Sequence, residues 1–125
     1  MGTSDRTSAA IEYQEVGKMI LMSKARYPAT SANDFLAKAM EELTENPYPE
    51  FIKRNYYYKL GEGSIVMYII YEIDPGNEDA AMKDLNARAF KFAQEVEGFE
   101  PISMEVLMSL QEAITMVQEG AELPS

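Results

Sequence analysis

Residues 65–73 form the most apolar run of the chain, with apolar or aromatic side chains at every position until Glu72 interrupts one parity. Successive side chains of a strand point to opposite faces of its sheet, so a run without alternation is typical of a strand covered on both sides. The helices predicted below suffice to cover one face. A second copy of the chain is the simplest cover for the other.

Three further strands are predicted, over residues 18–27, 51–60 and 102–108. The second carries lysines and arginines among its tyrosines, a mixture that suits an edge strand because charge discourages further pairing. The sequence Gly61-Glu62-Gly63-Ser64 predicts a hairpin between the second strand and the apolar run, with the two glycines supplying the positive φ angles.

Two stretches have the spacing of amphipathic helices. In the first, with Ser31 as N-cap, the predicted core positions are Phe35, Leu36, Ala39, Met40 and Leu43, and the predicted outward positions are Lys38, Glu41, Glu42 and Glu45. In the second, capped by Asp74 or Asn77, the core positions are Met82, Leu85, Ala89, Phe92 and Val96, and the outward ones are Lys83, Arg88, Lys91 and Glu95. Ser109 and Glu112 form a capping box that opens a short C-terminal helix.

The order strand–helix–strand–strand–helix–strand predicts a ferredoxin-like α+β sandwich. Right-handed crossovers give an antiparallel four-stranded sheet of order 4-1-3-2, with both long helices on one face. We expect residues 17–118 to form this domain, with a flexible tail at residues 1–16 and another at residues 119–125. Covering about 400 Å² of the bare sheet face at ~25 cal/mol per Å² amounts to about 10 kcal/mol before association costs, so dimerisation through the sheet is expected.

Composition narrows the chemistry. Twenty-one acidic against eleven basic residues give a net charge of −10, which disfavours nucleic acids and anionic membranes as partners. Cysteine and histidine are both absent, which removes thiolate catalysis, the commonest general base and the commonest metal ligands. We therefore expect a cytoplasmic protein with no metal site and no cofactor.

The element order and the doubly apolar strand over residues 17–118 resemble the dimeric α+β barrel superfamily. Its members include antibiotic-biosynthesis monooxygenases, stress-responsive barrel proteins and haem-degrading monooxygenases. The resemblance implies a homodimer, or a higher oligomer built from it, with two sheets stacked face to face. The haem-degrading members use a histidine ligand, which this chain lacks.

Candidate site residues lie on the sheet face predicted to be bare of helices. An apolar floor with a few polar groups is the usual composition of a small-molecule site. The second strand adds either Arg54, Tyr56 and Tyr58 or, in a shifted register, Lys53, Asn55 and Tyr57. The predicted ligand-binding residues are Lys24, Arg26, Tyr56, Tyr58, Tyr68, Glu72 and Glu105.

Two functions remain open at this point. The first is a non-catalytic dimeric protein, serving assembly or holding a small apolar or aromatic ligand, with Lys24, Arg26, Glu72 and Glu105 forming ion pairs around the interface. The alternative is a cofactor-independent monooxygenase, cyclase or isomerase acting on an aromatic or polyketide-like substrate between the sheets. Tyr68 and Glu72 are then the candidate catalytic residues, with Lys24 and Arg26 positioning the substrate. The sequence favours the first.

Overall fold

The computed structural model describes residues 17–120, and the predicted tail at residues 1–16 lies outside this range. The predicted order of elements is confirmed. The strands are β1 (Met19–Pro28), β2 (Ile52–Gly61), β3 (Ser64–Ile73) and β4 (Glu100–Leu107). The helices are α1 (Ala32–Glu45), which follows a 3-10 turn at Ala29–Ser31, α2 (Glu78–Glu95) and α3 (Leu110–Gln118).

The four strands form one antiparallel sheet of order β2-β3-β1-β4, which is the predicted order read from the other edge. The central pair is in register with Leu21 opposite Tyr71 and Ala25 opposite Met67. The two most apolar strands occupy the centre, as expected for strands that bury both parities. The ferredoxin-like α+β architecture therefore follows from the sequence pattern.

The hairpin between β2 and β3 has a two-residue loop, because Gly61 pairs with Ser64. Both loop residues are left-handed, Glu62 at φ 52° and Gly63 at φ 75°. Two consecutive positive φ angles match the right-handed twist of the flanking strands. The hairpin prediction is confirmed, but its detail is wrong, since Glu62 rather than a second glycine supplies the first positive φ.

The helix-covered side of the sheet carries the core. Leu21, Met67, Ile69 and Ile73 pack there against Leu85 of α2. Four rings close one end of this layer, and we call them the aromatic cluster: Tyr27, Phe35, Phe92 and Phe99. The tightest pair joins Tyr27 and Phe35 with ring centroids 4.4 Å apart.

Ser31 precedes α1 as predicted, but its hydroxyl does not cap the helix. It is buried and donates a 2.7 Å hydrogen bond to the carbonyl of Glu97 instead. Nearby, Gly98 is left-handed at φ 77°, and a Cβ built on it would lie 2.6 Å from Pro28. Both contacts hold the α2–β4 connection against the end of β1. The Ser31 hydroxyl thus makes a tertiary hydrogen bond in place of the predicted helix cap.

The predicted capping box of α3 is confirmed. The Ser109 hydroxyl accepts a hydrogen bond from the Glu112 amide at 3.1 Å, and the Glu112 carboxylate accepts one from the Ser109 amide at 3.3 Å. None of the residues of α3 is buried. Local capping therefore defines where this helix starts.

Candidate functional site

A cavity of about 240 Å³ lies between α1, α2 and the sheet. Its walls are mostly apolar, and it lies on the helix-covered side of the sheet. Its main apolar contributors are Phe35, Ala39 and Leu43 from α1, Leu85, Ala89 and Phe92 from α2, and Ile69, Met67 and Met104 from the sheet. Apolar walls with a few polar groups are the usual composition of a small-molecule site, and a volume below the ~300–1,000 Å³ of drug-sized sites suits a smaller ligand.

Exposed apolar side chains surround the opening of the cavity. Leu36, Met40 and Leu43 of α1 are 59%, 60% and 41% exposed, and Tyr56 and Tyr58 of β2 are 41% and 54% exposed. The helical pattern predicted the three α1 residues to be core positions. That prediction is wrong, because these side chains are not buried. They line a cavity that is open between α1 and the edge strand.

Five residues at one end of the cavity form what we call the arginine–tyrosine cluster: Tyr48, Arg54, Tyr56, Tyr71 and Arg88. The guanidinium carbons of Arg54 and Arg88 each lie 3.9 Å from the ring centroid of Tyr48. Stacking of this kind places a guanidinium against an apolar ring while its N–H groups remain able to donate hydrogen bonds. The cluster gives an otherwise apolar cavity a polar end.

Arg88 was predicted to face solvent, and that prediction is wrong: it is only 4% exposed. Its guanidinium donates to the carbonyls of Asn46 at 2.6 Å and Pro47 at 3.1 Å, and to the carboxylate of Asp84 at 2.7 Å. The carboxylate of Glu42 is also 3.5 Å from the Arg88 guanidinium. Burial is tolerated because the donors have partners, and the residue anchors the loop after α1 to α2.

Glu42 was likewise predicted to point outward and is 5% exposed. It accepts hydrogen bonds from Lys91 at 2.7 Å and from the side chain of Asn46 at 3.0 Å. The hydrogen bond from Lys91 is the main reason that the pKa of Glu42 is lowered, and it outweighs the opposing effect of burial. Glu42 is therefore a buried anion held between α1 and α2.

The tyrosines of the cluster influence one another. Burial, followed by the neighbouring Tyr56, raises the pKa of Tyr48 to about 12. Burial, followed by Tyr48, also raises the pKa of Tyr71. Because these phenols stay protonated at neutral pH, they are hydrogen-bond donors at the edge of the cavity.

The structure places the predicted site residues on two different faces of the sheet. Tyr56 pairs with Ile69 and Tyr58 with Met67, both on the helix-covered side. The predicted placement of Arg54, Tyr56 and Tyr58 on the open face is therefore wrong, and the shifted register is the correct one. Lys53, Asn55 and Tyr57 are the residues of β2 on the open face. Which parity an edge strand buries depends on its pairing, and the mixed pattern of β2 did not specify it.

The other predicted residues do share the open face, namely Lys24, Arg26, Tyr68, Glu72 and Glu105. The ammonium of Lys24 lies 5.6 Å from the ring centroid of Tyr68. Arg26 forms a 2.7 Å ion pair with Glu100 rather than with any of these residues. The catalytic alternative on this face stays a prediction.

Sequence reasoning missed Tyr48, Arg54 and Arg88 as a group, although one signal was present. Arg88 lies at helical spacing from Leu85 and Phe92, and Glu42 from Phe35 and Ala39. Opposite charges on the inward stripes of two neighbouring helices indicate a buried pair. Tyr48, between two prolines in a loop, carried no such signal.

Residues 17–120 contain no helix long and apolar enough to cross a bilayer. Within the same range, acidic side chains do not gather in any group of three or more that is suited to hold a metal ion. Comparison of the chain with protein-family models, with curated proteins and with solved structures finds no match. The features that indicate a function are therefore the geometry of the cavity and of the open face.

Proposed function

We propose that this protein binds a small, mainly apolar molecule in the cavity between α1, α2 and the sheet. The observation that carries the proposal is the cavity itself, about 240 Å³ with apolar walls and a polar end. An apolar cavity of ~150 Å³ is enough to hold a benzene ring. The space here is therefore sufficient for a substituted aromatic molecule.

The placement of the opening supports entry of a ligand. The exposed side chains of Leu36 and Met40 on α1 face a path past Tyr56 and Tyr58 on the edge strand. Apolar side chains that remain wet favour a guest that removes them from water, at ~25 cal/mol per Å² of apolar surface. Aromatic walls also favour planar guests through ring stacking.

The test is titration with N-phenyl-1-naphthylamine, a neutral dye that emits strongly in apolar surroundings. We expect saturable binding to the native protein. Ala39→Leu fills part of the cavity and should weaken dye binding about tenfold or more. A tenfold change in affinity corresponds to a loss of about 1.4 kcal/mol of binding free energy. Ala37→Leu is the matched control, because Ala37 is an exposed residue of the same helix.

A second pair of variants gives the same test if Ala39→Leu does not fold. Ala89→Leu fills the cavity from α2, and Ala87→Leu adds the same atoms to the exposed side of that helix. Unfolding temperatures should be retained in all four variants, because filling a void does not require the core to move. Equal dye affinity in the filled and control variants would show that the dye binds elsewhere, and the proposal would be abandoned.

We also propose that two copies associate through the open sheet face, as in the dimeric α+β barrel superfamily. The supporting observation is a group of apolar side chains on the central strands that the two long helices do not cover: Ile20, Met22, Val66, Ile70 and, from β4, Leu107. These side chains are only partly buried in the single chain. A second copy is the simplest cover for such a surface.

Light scattering tests the dimer, which should have twice the 14.1 kDa mass of the chain. Ile70→Asp should dissociate or unfold the protein, because it places an unpaired charge in a dry interface. Phe90→Asp is the control, since Phe90 is 65% exposed on α2. A native protein that is monomeric at micromolar concentration would contradict the proposal, as would an Ile70→Asp variant of unchanged mass and melting temperature.

A further inference from the structure

The arginine–tyrosine cluster contains two cations, and Arg54 differs from Arg88 in its charged partners. Among residues 17–120, no carboxylate forms an ion pair with Arg54, although the chain contains 21 acidic residues. Its Nε atom is buried and has no hydrogen-bond partner within the described part of the chain. A buried donor without a partner costs free energy in a folded protein, and the cost is larger on a charged group.

Arg88 provides the internal comparison. Both arginines stack on Tyr48 at the same distance, but the guanidinium of Arg88 is paired with Asp84 and Glu42 and with two backbone carbonyls. The structural role of a stacked arginine at this loop is therefore already filled by Arg88. The stack on Tyr48 fixes the position of Arg54 but leaves its charge uncompensated.

Arg54 lies next to the cavity. It is opposite Tyr71 in the sheet register, and its guanidinium carbon is 5.9 Å from the ring centroid of Tyr56. Tyr48, Tyr56 and Tyr71, the three tyrosines around Arg54, all line the cavity. Arg54 does not itself line the cavity, so a polar group that enters this end meets the three tyrosines with the positive charge of Arg54 directly behind them.

We propose that this end of the cavity holds a carboxylate, so that the ligand is an apolar or aromatic carboxylic acid rather than a neutral molecule. Arginine binds carboxylates through two parallel N–H···O bonds, and the Nε hydrogen is one of the donors that such pairing uses. The phenols of Tyr48 and Tyr71, which interact with each other, lie at the same end of the cavity. This inference depends on the proposed ligand-binding function and specifies the class of ligand.

The experiment compares 2-naphthylacetate with 2-naphthylacetamide, which differ in charge but hardly in shape, by isothermal titration calorimetry. The native protein should bind the acid roughly tenfold more tightly than the amide or better, the range for hydrogen bonds to charged groups. Arg54→Gln should remove this preference and leave affinity for the amide unchanged. Arg54→Lys should restore only part of it, because lysine keeps the charge but cannot bind bidentately.

Lys53→Gln is the matched control. It removes the same charge one residue away, on the opposite face of the strand, and should keep the preference for the acid. Equal affinity of the native protein for acid and amide overturns the inference, as does a preference that survives in a folded Arg54→Gln variant. If acid and amide bind with equal affinity and Ala39→Leu weakens both, ligand binding stands while the charge preference fails. If neither compound binds while Ala39→Leu weakens binding of the dye, this inference falls and the proposed function stands; if the dye also fails to bind, both fall.

Discussion

The two ends of the helix-covered layer are built from opposite kinds of side chain. The aromatic cluster closes one end with stacked rings, 4.4 to 6.4 Å apart between centroids. The arginine–tyrosine cluster forms the other end, and the cavity is lined by residues of both clusters, including Phe35 and Phe92 from the first and Tyr48 and Tyr71 from the second. Dispersion between apolar rings tolerates small shifts in their positions, whereas hydrogen bonds between charged groups require particular distances and angles. The comparison therefore predicts that the two ends respond differently to substitution.

Arg88→Met should have the largest effect, because it removes the anchor of the polar end. Two carbonyls, Asp84 and Glu42 lose a donor in a buried site, so we expect a loss of about 3–5 kcal/mol in the free energy of unfolding. Urea unfolding measures it. Lys83→Met on the exposed side of the same helix should change stability by less than about 0.5 kcal/mol. Similar losses in the two variants would mean that Arg88 does not anchor this end.

Glu42→Gln should cost about 2 kcal/mol at pH 7, in the range of hydrogen bonds to charged groups. The pKa of Glu42 is lowered in the folded state from an ordinary value of 4.5, so the ionised carboxylate stabilises the fold fully above that value. Its contribution is lost as the pH falls through the lowered pKa. Urea unfolding from pH 7 to pH 3 should therefore show the gap between native and variant protein closing below about pH 4.5.

Glu41→Gln is the control for that pH series, since Glu41 is exposed on the same helix. It should show a gap near zero at every pH, because exposed ion pairs contribute little. A Glu42→Gln gap that stays constant down to pH 3 would contradict the assigned role of the charge.

Phe35→Leu tests the aromatic end. Leucine retains much of the apolar area but loses ring contacts with Tyr27, Phe92 and Phe99, so we expect a loss of about 1.5 kcal/mol. Thermal unfolding measures it, with Phe90→Leu as the exposed counterpart. If the two substitutions have equal effects, the ring contacts of Phe35 do not stabilise this end.

The smallest expected effect comes from deleting one hydroxyl. Tyr71→Phe removes a phenol that interacts with Tyr48 and should cost about 1 kcal/mol. Tyr27→Phe makes the same change within the aromatic cluster, where the ring rather than the hydroxyl makes the stacking contacts, and should be nearly neutral. Chemical denaturation of both variants side by side distinguishes the ends. A costlier change at Tyr27 would reverse the comparison.

The positions of the elements followed from local patterns. The apolar run at residues 65–73 predicted a central strand, and Ser109 with Glu112 predicted the start of the last helix, because alternation and capping depend only on neighbouring residues. The sheet order followed from chain connectivity and handedness. The burial of Arg88 and Glu42 did not follow, because each was assigned from charge alone, without the partner that the other helix supplies.

By itself, the sequence determined the α+β class, the strand order and the apolar character of both faces of the central strands, since each depends on periodicity and connectivity. Tertiary structure decided which parity of β2 is covered by helices, and hence that Tyr56 and Tyr58 line a cavity. It also placed Arg54 beside Tyr48 with no carboxylate of residues 17–120 paired to it. These features depend on contacts between residues that are distant in the chain. Local sequence patterns do not specify how favourable such contacts are.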